Sequence, residues 1–192
     1  MSDLSLIKEL REKTGAGFLD CKNALSENDN NIEQSIDSLR KKGLAKATKK
    51  SSREANEGAV GFYNNENISV ILKINSETDF SAKSDTFLDF LDSIGNIALN
   101  TNNINLNLND FLKVEDNGKS ISDLLNEMIA KIGENLIIND IKVFDNKEVK
   151  VNYYIHNPYR KNIGKIVSAV FYISEEENDK IRNFSKNLCM HI

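Results

Sequence analysis

Cysteine is almost missing from this chain. Cys21 and Cys189 are the only two among 192 residues, too few for a disulfide framework and in keeping with a reducing compartment. Histidine is as scarce: His156 and His191 have no partner at helical or hairpin spacing, so no metal ligand set emerges. Long apolar runs are lacking too. Runs such as Val70-Ile71-Leu72 fall far short of the ~20 apolar residues that cross a bilayer, so no membrane partner is expected. The opening stretch MSDLSLIKEL carries an early acid and no apolar segment leading to small residues; no secretory signal is visible, and a cytoplasmic location is expected. Neither a C-x-x-C pair, a phosphate-binding Walker sequence nor G-x-G-x-x-G occurs.

An enzyme needs an activated nucleophile, a tuned acid–base pair or a metal. Cys21 sits on an apolar helical face, where a buried structural thiol is expected rather than a nucleophile. Gly15-Ala16-Gly17 joins two helices and is no strand-to-helix phosphate cradle. Glu175-Glu176-Glu177 reads as acids in the first turn of a helix, favoured by its macrodipole. No catalytic residue, no metal ligand, no cofactor and no direct small-molecule substrate is assigned; the expectation is that the protein is not an enzyme.

What is present is a soluble balance, 40% hydrophobic and 28% charged residues, with a net charge of −4. A chain of this length buries roughly 70% of its unfolded surface. The charge is uneven. Arg40, Lys41, Lys42, Lys46, Lys49, Lys50 and Arg53 follow one another with no acid among them, which leaves the rest of the chain more acidic than the total suggests. That balance argues against a general nucleic-acid binder and against RNA as a partner. If the basic stretch is helical, Lys42, Lys46, Lys49, Lys50 and Arg53 share a face that is either simply solvated or turned to an acidic or RNA surface.

Periodicity divides the chain. Leu6, Ile7 and Leu10 mark a first helix that stops at Thr14-Gly15; Phe18, Cys21 and Leu25 mark a second; Ile32, Ile36 and Leu39 mark a third, opened by Asn30 with Glu33 as a capping box and closed by Gly43. These give a three-helix module over 1–42, followed by a basic, partly helical linker over 43–57. From Gly58 the period becomes two. Val60 and Phe62, a turn at Asn64–Asn67, then Ile68, Val70, Leu72 and Ile74 form a hairpin. Helices follow at Phe87–Ala98, with Ser84 as N-cap, and at Leu124–Ile132, closed by Gly133. Strands are expected at Leu136–Phe144, Val149–Ile155 and Ile166–Ile173, with Pro158 in a loop before the last. A final helix begins near Glu175 and still presents apolar Leu188, Met190 and Ile192 at the end of the chain, which reads as a chain cut short. The class is α+β, with an antiparallel sheet and packed helices. The core splits into 58–140 and a partial second half, 141–192.

One connection stands out. Ser76-Glu77-Thr78-Asp79-Phe80-Ser81-Ala82-Lys83 links the strand ending at Ile74 to the helix beginning at Ser84, with a phenylalanine at the tip of a polar segment. Either Phe80 docks inward as a core plug, or it stands out as an aromatic anchor beside a carboxylate, offered to another protein.

Several segments in order resemble the bacterial elongation factor Ts family. They are Ile7-Lys8-Glu9-Leu10-Arg11-Glu12-Lys13-Thr14-Gly15-Ala16-Gly17 with Asp20-Cys21-Lys22; Leu39-Arg40-Lys41-Lys42-Gly43-Leu44-Ala45-Lys46-Ala47; Glu77-Thr78-Asp79-Phe80 with Ala82-Lys83; Lys131-Ile132-Gly133-Glu134-Asn135; and Tyr154-Ile155-His156. The resemblance implies a module like a ubiquitin-associated domain followed by a two-part core, and a guanine-nucleotide exchange factor that binds elongation factor Tu in its GDP-bound and nucleotide-free states. It also implies that Thr78, Asp79, Phe80 and Ser81 intrude near the Mg²⁺ of that GTPase and promote GDP release. Arg11, Phe18 and Leu19 match positions facing the GTPase, although Phe18 and Leu19 would serve equally as core of the module. His156 falls in an interface signature, with a hydrogen-bonded structural histidine as the rival. Two departures are visible: Ser81 replaces the valine that usually follows the phenylalanine, and Ser76 stands where cysteine is usual. The alternative function is a protein-binding adaptor that uses the helical module without exchange.

Overall fold

In the computed structural model, which describes residues 4–175 and 178–192 apart from the Lys46 side chain, three helices lead: α1 (Leu4–Thr14), α2 (Phe18–Glu27) and α3 (Ile32–Lys50). Ile7, Leu10, Cys21, Ala24 and Leu25 form their buried centre, with Leu6, Ala16, Ile32, Ile36 and Leu39 packed around it. Burying each large aliphatic here is worth about 1.5–3 kcal/mol. Thr14 ends α1 as expected, its hydroxyl donating to the Leu10 carbonyl at 2.6 Å.

Two local expectations fail. The N-cap of α3 is Asn31, whose side chain accepts from Gln34 N at 3.0 Å; Asn30 has swung to φ +61 in the preceding turn. Nor does Gly43 stop the helix, which runs on to Lys50. Gly43 allows a close approach instead: a Cβ there would lie 3.4 Å from the Cβ of Ala130, on a later helix. Half of the expected 43–57 linker is therefore helix, and residues 51–56 remain to reach the first strand.

The remaining elements are β1 (Glu57–Asn64), β2 (Ile68–Ser76), α4 (Asp79–Ala82), α5 (Asp85–Asn100), α6 (Leu108–Phe111), β3 (Glu115–Asp116), β4 (Lys119–Ser120), α7 (Ile121–Ile132), β5 (Leu136–Asp145), β6 (Lys150–Arg160), β7 (Ile163–Tyr172) and α8 (Asp179–His191). The chain forms two compact units. One combines Met1–Glu54 with Ser122–Leu136, and the other Ala55–Ile121 with Ile137–Ile192. In the first, Arg40 pairs with Asp123 at 3.2 Å, the Lys50 ammonium donates to the Gly133 carbonyl, and Asn135 Nδ2 donates to the Arg53 carbonyl at 2.7 Å. α7 thus joins the helical module, although the sequence reading assigned it to the core.

The second unit is built on a five-stranded sheet ordered β5-β2-β1-β7-β6. β1 and β2 form the expected hairpin, in unbroken antiparallel register from Glu57↔Ser76 to Asn64↔Ser69. Asn65 holds its turn, its side-chain oxygen accepting from Asn67 N and Ile68 N at 2.8 and 2.9 Å. α5 packs on this hairpin. Tyr63 lies in the notch between Gly61 and Gly95, where any Cβ would come within 2.6 and 2.1 Å of its ring, and its hydroxyl donates to the Leu91 carbonyl at 3.0 Å.

β6 and β7 pair antiparallel. Pro158, expected in a loop, lies inside β6 beside a register shift. The shift and the edge position of β6 tolerate a residue with no N–H to give. α8 packs on this pair, with Ser185 and Cys189 buried and the Cys189 thiol donating to the Asn152 carbonyl at 3.3 Å. It begins later than expected: Asn178 is the N-cap, accepting from Ile181 N at 3.1 Å. Glu176 and Glu177 of the acidic run lie outside the described residues.

Candidate partner-binding site

The connection from β2 to α5 folds as a single helical turn, α4. Thr78 caps it, its hydroxyl accepting from Ser81 N at 3.2 Å, and the fully buried Ser76 donates to the Thr78 carbonyl at 2.9 Å. At the far end Ser84 donates to the Ser81 carbonyl at 2.8 Å and accepts from Phe87 N at 3.3 Å. One serine therefore closes α4 and opens α5, fulfilling the N-cap read for it.

This frame decides the fate of each side chain on the turn. Ala82 is buried, and Ser81 turns inward at 7% exposure, its hydroxyl oxygen without a hydrogen-bond partner. Phe80 points away from the fold at 85% exposure. The core-plug reading of Phe80 therefore fails; the phenylalanine that plugs the core below is Phe87, at 0%. Ser81, expected with the outward group, presents no side-chain surface. The inward side of the turn is already filled by Ala82 and Ser81, so a ring at position 80 has nowhere to go but out.

Asp79 flanks Phe80. Its carboxylate lies 2.8 Å from the Lys83 ammonium one turn on, with both groups half-exposed. The hydrogen bond from Lys83 holds the Asp79 carboxyl below its ordinary range, and the same bond pushes the Lys83 ammonium up. Lys83 also lies 5.9 Å from the centroid of the Tyr159 ring. The i,i+4 spacing of Asp79 and Lys83 was a usable signal in the sequence. Tyr159, far off in sequence, gave none.

The other candidates divide between the two compact units. In the helical module, Phe18 and Leu19 are adjacent at the start of α2, 46% and 67% exposed. Neither belongs to the buried centre of the module, and Arg11 is exposed as well. In the sheet unit, His156 is exposed on β6 opposite Ile166, its ring tilted 6.1 Å from that of Tyr154. The cysteines stay inside: Cys21 and Cys189 are buried, and burial pushes both thiols up, away from nucleophilic use. Lys42 of the basic stretch is tied to Glu27 at 2.6 Å, and Arg40 and Lys50 are engaged within the module as described above.

Among the described residues no group of three His, Cys, Asp or Glu side chains could hold a metal ion. No helix there is long and apolar enough to cross a membrane.

A family model described as elongation factor TS matches residues 77–192, from just before the α4 turn to the final residue. An elongation factor Ts of Allorhizobium ampelinum is 39% identical over 188 residues, covering 98% of this chain and 61% of its own length. One from Rickettsia rickettsii is 40% identical over 199 residues, covering 100% and 63%, and one from Rhizobium meliloti is 37% identical over 188 residues, covering 98% and 61%. The chain thus spans a little over six-tenths of the length of the curated relatives it matches.

Proposed function

The chain belongs to the elongation factor Ts family, and on that premise we propose that it is a cytoplasmic guanine-nucleotide exchange factor acting on elongation factor Tu. The observation that carries this reading is the Phe80 ring, 85% exposed on a turn whose Ser81 and Ala82 side chains face inward. Leaving such a ring in water forgoes about 1.5–3 kcal/mol of burial, which a partner can recover.

The mechanism is mechanical. GDP is held in a GTPase by backbone amides, a lysine and a Mg²⁺ that bridges phosphate oxygens. Phe80 enters beside the Mg²⁺ site of the partner, Asp79 accompanies it as a carboxylate, and Thr78 and Ser81 fix the turn from behind. Displacing the metal and its neighbours removes part of the grip on the diphosphate without any covalent step. No cofactor or small-molecule substrate of its own is required, so the protein acts as an exchange factor and not as an enzyme. Linkage sets the cycle: the factor by which the protein weakens GDP is the factor by which GDP weakens the protein. Incoming GTP or GDP therefore expels it.

Arg11, Phe18 and Leu19 supply a second contact from the helical module, and His156 a third from β6. The exposure of Phe18 and Leu19 also supports the rival reading, an adaptor that binds through this module alone. One experiment separates them. Release of labelled GDP from elongation factor Tu is expected to accelerate with the 192-residue chain and to lose most of that acceleration in Phe80→Ala. Binding with equal affinity to GDP-bound and nucleotide-free GTPase, with no acceleration, would replace exchange by the adaptor.

A further inference from the structure

A helix of four residues closes a single turn and is not stable in water by itself. α4 cannot lean on Phe80, whose ring touches mostly solvent. Ser76, Thr78 and Ser84 fix its base, buried Ser81 and Ala82 seat it on the β1–β2 hairpin, and Ser84 couples its direction to the start of α5. A support from the end of β6 reaches the start of α5, and through it bears on the turn. Arg160 Nη1 lies 2.7 Å from Asp89 Oδ1 and Nη2 3.2 Å from Asp85 Oδ1, with a longer bond from Nη2 to the Asp85 carbonyl at 3.4 Å. One turn further along, Asn162 Nδ2 donates to Asp92 Oδ1 at 2.8 Å. Asp85, Asp89 and Asp92 thus lie along one side of α5 and meet the β6–β7 turn at two points. Beside them Tyr159 faces the ammonium of Lys83, the residue that clamps Asp79.

We propose that Arg160, seconded by Tyr159, is a positioning residue for exchange: the end of the β6–β7 hairpin holds the α4 turn in the orientation from which Phe80 enters the partner. The proposal rests on the exchange reading. A planar fork can hold two carboxylates at once, which a single ammonium does less well. The Arg160 pairs, whose Asp85 and Asp89 carboxylates are largely exposed, are of the kind that adds little to stability, of order 0–1 kcal/mol in general. Orientation is where the effect falls, because a small misplacement of a reacting or wedging group is costly in rate while leaving the fold intact.

The chain has no tryptophan, so Phe80→Trp places a lone indole at the tip. Its time-resolved anisotropy in the full chain is expected to show a restrained ring that gains fast local motion with Arg160→Gln and is partly restrained again by Arg160→Lys. Stopped-flow GDP release from elongation factor Tu, with Phe80 retained, is expected to lose about tenfold in maximal rate with Arg160→Gln, with the half-saturating concentration and the melting temperature nearly unchanged. In a Phe80→Ala background the same substitution is expected to add no further loss. Should Arg160→Gln fail to fold by circular dichroism, Tyr159→Ala is carried through the same measurements. Unchanged anisotropy overturns the proposal whatever the exchange rate does. An undiminished loss in the Phe80→Ala background overturns it as well, since Arg160 would then act on the partner directly. So does a joint fall of melting temperature, rate and affinity, which marks a structural role. If the parent chain releases no GDP, the exchange reading falls, and the anisotropy still decides whether the hairpin holds the turn.

Discussion

Phe80 and Phe87 are the same side chain seven residues apart, one 85% exposed and the other fully buried. The short polar hinge between them separates two kinds of work. Ser84 ends one turn and begins the next helix, and in doing so points one ring at the sheet and releases the other to solvent. Phe87 contributes to the fold, whereas Phe80 contributes to it almost nothing. The largest test of that contrast is Phe87→Ala, expected to destabilise the sheet unit by about 3–5 kcal/mol through lost burial and an unfilled cavity, as measured by denaturant unfolding. Phe80→Ala is expected to stay within about 0.5 kcal/mol of the parent, as surface substitutions do. A large loss of stability in Phe80→Ala would show that the ring packs on its own chain in solution and would remove the basis for a partner wedge.

The contrast was only half legible in the sequence. Phe87 falls in a clear 3.6-residue pattern with Leu88, Leu91, Ile94 and Ala98, all buried, so its place could be read from spacing alone. Phe80 sits in a segment too short for periodicity, and its outward direction depends on Ser81 and Ala82 facing in, which no pattern announces. α8 shows the same limit on a longer element. Its apolar residues Phe184, Leu188 and Ile192 share a helical stripe yet are 70%, 41% and 78% exposed. The buried side is Ser185 and Cys189, selected by hydrogen bonds to Ser168 and Asn152. Spacing revealed the helix but not its buried face. Gly43 did mislead: a glycine suited to a helix stop serves instead as the place where α7 comes close. Contacts such as Arg160 with Asp85 and Asp89 span some seventy residues of chain, and nothing local encodes them.

A smaller effect sharpens the comparison from inside the hinge. Ser81 is buried with an unpartnered hydroxyl, a loss of about 1–3 kcal/mol for a polar group removed from water. Replacing it by alanine removes the orphan and restores a good helix former. Ser81→Ala is expected to raise stability by about 1 kcal/mol, seen as a higher denaturant midpoint with an unchanged slope. A lowered midpoint would mean that the hydroxyl is satisfied by water in solution and that the inward side of the turn is wetter than its burial implies.

The smallest expected effect concerns acid. Asp79 is held below its ordinary value of 3.8 chiefly by the hydrogen bond from Lys83, and Lys83 is held above its ordinary 10.5 by the same bond. A depressed carboxyl pKa means that the pair supports the turn fully above the aspartate's unfolded value and loses that support as pH falls through the folded one. The raised lysine works in the opposite sense: its support is full below the unfolded value and is lost as pH rises through the folded one. Between those limits the clamp is constant, so neither exchange nor the orientation of Phe80 should vary across neutral pH through this pair. Carboxyl carbon shifts followed by NMR are expected to place the Asp79 midpoint below 3.8 and to return it to the ordinary value in Lys83→Met. A midpoint at or above 3.8 in the parent chain would show the ion pair open in solution, leaving Thr78 and Ser84 to hold the turn without it.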